Sequence, residues 1–201
     1  MFFLFYPLKV EQLTIPIHKR FSLFIIFLSL QTSFMTTYCL DNLMQIKALV
    51  SCISNETYKK PCKHLFKSSI GQHIRHALEF YKCLLEGIEN GVVNYDERRR
   101  DHELEISTAK AEKLVIYLEL QLKSIKHNLP LKIKANYTNE NIGNICLSSS
   151  LYRELSFCLE HSIHHLAFVK TGLQELDCLK LIDKDFGIAP STLRHHKQCV
   201  Q

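Results

Sequence analysis

The chain has 201 residues, the length of one ordinary domain, and a composition of 46% hydrophobic and 22% charged residues excludes a disordered polymer. A formal net charge of +5, with no dense Arg/Lys stripe, argues against nucleic acid as a partner. Eight cysteines at wide, irregular spacing, none in a C-x-x-C pair, argue against a disulfide scaffold or a thiolate zinc site. They suit reduced thiols in a cytoplasmic protein.

Residues 1–40 differ from the rest. Phe21 to Leu40 carries no charge, and His18-Lys19-Arg20 precedes it. Three readings of this apolar extension stand: a membrane anchor or signal, an extra element packed on the domain, or a non-native start upstream of Met35 or Met44. A membrane-associated location would depend on residues 21–40 forming an anchor.

From Asp41 the pattern is helical, with Leu43, Ile46, Leu49, Val50 and Ile53 at spacings of three and four. Asn55 to Ser68 interrupts it, and Pro61 predicts a helix end nearby. Ser68 or Ser69 could cap a second helix whose apolar stripe runs Ile70, Ile74, Ala77, Leu78, Tyr81, Leu84, Leu85 and Ile88. On a helical wheel His73 lies about 60° from Ile70 and His76 about 120° away, toward solvent. Gly71 would admit another backbone closely. Asn90-Gly91 closes this helix.

Asn94 to Asp101 is a charged connection. Its Arg98-Arg99-Arg100 could hold an anion, although Asp96, Glu97 and Asp101 make a locally balanced loop the simpler account. Tyr95 could anchor it. Ser107 and Thr108 are cap candidates for a third helix with the seam Leu114, Leu118, Leu122 and Ile125. Leu131 to Tyr137 alternates as a short strand does, and residues 139–144 read as a turn, so a small hairpin fits the long connection before Ser150.

Serines 148–150 then cap a helix whose stripe is Leu151, Leu155, Cys158, Ser162, Leu166, Val169 and Leu173. His165 lies about 40° and His161 about 80° from the Leu151 direction, on one side, while His164 points further round. His161 and His165 are one turn apart and can converge on one ion. Glu154 shares their flank, and Cys158 lies one turn before His161. Glu154 as a proton carrier and Cys158 as a thiolate are the weak catalytic candidates; a small buried cysteine is the simpler reading of the latter. Gly172 would end or bend this helix. Asp185 to Arg194, with its Gly and Pro, reads as a compact loop anchored by Phe186 and Ile188.

Four stretches together carry a resemblance: Ser69-Ile70-Gly71-Gln72-His73-Ile74-Arg75-His76, Asn94 to Asp101, Glu160-His161-Ser162-Ile163-His164-His165, and Asp185 to Arg194. In this order they resemble a DinB-like domain of the DinB/YfiT-like superfamily over residues 41–196, with 197–201 as a tail. The resemblance implies an all-α fold: a four-helix bundle, up-down-down-up, with a long crossover and a C-terminal loop packed on the bundle. It also implies a divalent-metal site (zinc, nickel or iron) held by His73, His161 and His165, with His76 and His164 in reserve. The implied activity is that of a metal-dependent transferase or hydrolase acting with a low-molecular-weight thiol. The alternative is a non-catalytic, stress-associated or interaction protein whose histidine site is structural or vestigial. A homodimer through exposed helix faces is a further expectation.

Overall fold

The computed structural model describes residues 17–140 and 143–199, of which 17–33 are described as backbone alone. The chain is mostly helical, with seven α-helices and a three-stranded sheet among the described residues.

Helix α1 (Ile17–Val50) buries Cys39, Leu43, Ile46, Leu49 and Val50, the period-3.6 stripe that drives its packing. It runs unbroken across residues 40 and 41, and the buried Cys39 thiol lies 3.7 Å from the Leu155 carbonyl. Part of the apolar extension is therefore part of the core. The anchor expected at residues 21–40 falls largely outside the residues with described side chains. Among the described residues no helix is long and apolar enough to cross a membrane.

Ser54 caps the short α2 (Asn55–Lys59), which Pro61 follows. Ser69 begins α3 (Ile70–Gly87) with a capping box: Gln72 N donates to Ser69 Oγ at 3.2 Å, and Ser69 N to Gln72 Oε1 at 3.0 Å. Gly71 is required, because a Cβ there would lie 2.0 Å from the Glu105 carbonyl oxygen in α4 (Glu103–Ile106). Ser107 caps α5 (Thr108–Ser124).

The expected hairpin is present. Strands β2 (Pro130–Ala135) and β3 (Ile145–Ser150) pair antiparallel from Pro130↔Ser150 to Ala135↔Ile145. Leu131, Ile133 and Ala135 turn inward, as alternation requires. Strand β1 (Val92–Val93) joins β2 in parallel, so a small sheet β1-β2-β3 qualifies the all-α expectation.

Helix α6 (Leu151–Glu175) passes through Gly172 and does not stop there. A Cβ at Gly172 would meet Leu65 Cδ1 at 2.8 Å, so this glycine admits a neighbouring side chain. The expected loop at 185–194 is also corrected: α7 (Pro190–Cys199) starts within it, with proline in the first turn, where its missing N–H costs nothing. Phe186 is the buried anchor there, 3% exposed. Buried side chains of α1, α3, α5 and α6 form one core, with α3 lying along α6 and α1 along both α5 and α6.

Candidate metal centre

The contact between α3 and α6 brings four histidines together. On α3, Ser69 sets the helix start and so the phase of His73 and His76. On α6, the buried Cys158, Ser162, Leu166 and Val169 set the phase of His161 and His165. His76 Nε2 lies 2.8 Å from His161 Nε2, and His73 Nδ1 lies 3.0 Å from His165 Nδ1. One ligand atom from each of His76, His161 and His165 falls within 4.8 Å of the others. His76, which the wheel places toward solvent, is half-buried inside the cluster. His164 is exposed, with its ring edge-on to Phe168.

The cluster has an aromatic floor. Phe80 packs on His161, with centroids 4.3 Å apart, and stacks on Tyr95 at 4.9 Å; Phe157 and Phe168 close the sides. Phe80 is buried, the four histidines are half-buried, and burial is the largest cause of lowered proton affinity in all four. His76 falls to about 4, with the Arg98 cation adding to burial, and His165 to about 3, with its neighbouring histidines adding. The imidazoles are therefore neutral at pH 7, the form that binds a metal ion.

Arg98 belongs to this site. Its guanidinium lies over the Phe80 ring at 4.9 Å, and its side chain is only 11% exposed. Arg98 Nη2 is 3.1 Å from His76 Nδ1. A guanidinium can only donate, so Nδ1 accepts and the proton of neutral His76 sits on Nε2, donated to His161 Nε2. The buried Glu79 carboxylate holds the segment from below: it accepts from Asp101 N at 2.7 Å and lies 3.7 Å from both Arg75 Nε and Arg98 Nε. The charge run at 96–101 is thus not merely a locally balanced loop. Arg98 finds its acid on α3, which local charge counting along the chain cannot reveal.

The two weak catalytic candidates form a separate buried group. Glu154, 1% exposed, accepts from Tyr95 OH at 3.0 Å and from Ser149 and Arg153. Cys158 Sγ is 3.7 Å from the same phenol. Burial pushes the Cys158 thiol far above its ordinary range, so it remains protonated and unreactive. Tyr95 connects this group to the cluster through its stack on Phe80.

No family model matches the chain, and no solved structure does. The chain is similar to FK506-binding protein 5 of Rhizopus delemar, with 33% identity over 110 residues, covering 53% of this chain. It spans 28% of that protein's length, so the similarity concerns one part of a larger relative.

Proposed function

We propose that the chain is a divalent-metal-binding protein of the DinB-like type, with the ion held by His76, His161 and His165. The observation that carries this reading is the convergence of three neutral imidazoles from two helices. The donor set suits the group. A tetrahedral zinc bound by nitrogen sets its donors about 3.3 Å apart, and the three ligand atoms lie within 4.8 Å of one another; ligation through His76 Nε2 would move its proton to Nδ1, against the Arg98 donor. All-imidazole ligation suits zinc, nickel or iron(II). In this reading the four long helices form the up-down-down-up bundle that the resemblance implies, with β1, the Arg98 segment and α4 in the crossover from α3 to α5 and the β2–β3 hairpin between α5 and α6.

Three protein ligands leave a coordination position for a small molecule. A bound ion there would supply Lewis acidity, lowering the pKa of a water or a low-molecular-weight thiol. The protein's own contribution is the aromatic surround of Phe80, Phe157 and Phe168, and the cationic Arg98 beside His76. Together these fit a metal-dependent transferase or hydrolase acting with a thiol.

One observation favours a second reading. The Arg98–His76–His161 hydrogen bonds satisfy these groups without any ion, as a structural or vestigial site would. Metal analysis of protein purified without a histidine tag separates the two. The metal reading expects about one ion per chain, lost in His161→Ala. Less than about 0.2 per chain, unchanged by that substitution, refutes it.

A further inference from the structure

We propose that His73 is the positioning residue of the cluster: it fixes the tautomer of His165, so that Nδ1 of His165 carries the proton and Nε2 is left with a free lone pair. The inference rests on the metal reading for its purpose, but its geometry stands without an ion.

The proton order is set at Ser68. Its hydroxyl has one proton, and the Leu65 carbonyl, which can only accept, is in hydrogen-bond contact with it. Ser68 Oγ is also 3.1 Å from His73 Nε2. With its proton committed to Leu65, Ser68 can only accept from His73, so the proton of neutral His73 is on Nε2. His73 Nδ1 is then an acceptor. His165 Nδ1, 3.0 Å away, must donate to it. The order of donation is His165 to His73 to Ser68 to the Leu65 carbonyl. In a neutral His165 this leaves Nε2 as the nitrogen with an available lone pair, and its ring lies 4.4 Å from that of His76 and 4.7 Å from that of His161.

The relay is built on fixed supports. Cys62 N donates to Ser68 O at 2.9 Å, Ser68 N donates to Leu65 O at 2.9 Å, and Pro61 pairs with Ser69 in a β-bridge. The His73 ring is stacked on Phe168 at 5.2 Å, with 26° between planes. His73 therefore has both nitrogens engaged and its plane held. A partner that accepts from the far nitrogen of a ligand histidine is the usual device for fixing tautomer and raising ligand basicity. Here an imidazole does what a carboxylate or carbonyl does elsewhere.

The test reads tautomers by long-range proton–nitrogen NMR on the metal-free full chain, with zinc affinity measured in parallel. The expected pattern is Nε2–H at His73 and Nδ1–H at His165. His73→Ala should release His165 into a tautomer mixture and weaken zinc about 10- to 100-fold. His73→Gln, whose Oε1 can accept from His165, should restore both, to within about 5-fold of wild-type affinity. An Nε2–H tautomer at His165 in the wild type overturns the inference. So does a His73→Gln variant that loses zinc as completely as His161→Ala, because His73 would then be a ligand. The stated tautomers in a wild type that binds no zinc uphold the positioning and overturn the metal reading alone.

Discussion

Gly71→Ala should destabilise the protein despite replacing a helical glycine. In an open helix the change would stabilise by about 1 kcal/mol. Here the new methyl would sit 2.0 Å from the Glu105 carbonyl oxygen and 2.8 Å from Tyr58 Cε1. Neither can swing aside. The carbonyl is backbone, and Tyr58 is fully buried with its hydroxyl donating to Leu104 O at 2.9 Å. Helix α4 must lift from α3, straining that bond and those from Gln72 and Arg75 to Glu105. Overpacking of this kind costs about 1–3 kcal/mol, and each weakened hydrogen bond about 1 kcal/mol. After the helical gain, a net loss of about 2–3 kcal/mol follows, or roughly 5–10 °C in Tm for a domain of this size. Thermal unfolding by circular dichroism reads it directly. A Tm equal to or above the wild type would refute the close approach of α4 to α3 and the account of Gly71 with it.

Arg98→Met should tighten zinc binding by about 10-fold or more, equivalent to about 1.4 kcal/mol. It removes a cation beside the ion and the N–H that confines the His76 proton to Nε2; competition with a chromophoric chelator would show it, and weaker binding would refute it. For the metal-free protein, stability should fall as the pH drops from 6.5 toward 4. The unfolded chain protonates His76 and His165 near 6.5, while in the fold they wait until about 4 and about 3. The unfolded state therefore binds more protons across that window, so stability rises with pH through it and these two groups add no slope above it. Tm measured against pH in wild type and His165→Asn checks this, the variant being expected to show the shallower slope.

Much of the fold was legible because it follows from local rules. The stripes of α3 and α6 repeat at helical spacing, and Ser69 and Ser107 cap where side-chain chemistry allows, whereas α5 buries Ala111 and Val115 beside Leu118 and Leu122 in place of the expected Leu114 and Ile125, and Ser150 precedes α6 without a side-chain cap bond. Alternation at 131–135 foretold β2. Other features depend on distant partners. Val92-Val93 is a strand only because β2 lies beside it, and Gly172 reads as a helix end until Leu65 is known to need its space. In the site, the four-residue spacing of His161 and His165 was visible at once. The place of His76 was not. A helical wheel assumes one buried face and one wet one, yet α3 buries five consecutive residues, Ala77 to Tyr81, which span the whole circumference. The second cover comes from α4 and the Arg98 segment, and the buried charge of Glu79 is what holds that segment down. An acidic residue inside an apolar helix was the available signal that a basic partner would arrive from elsewhere in the chain. Because that same arginine both covers His76 and places its proton, the segment that packs over the cluster would also set how readily His76 takes up the ligand role proposed for it.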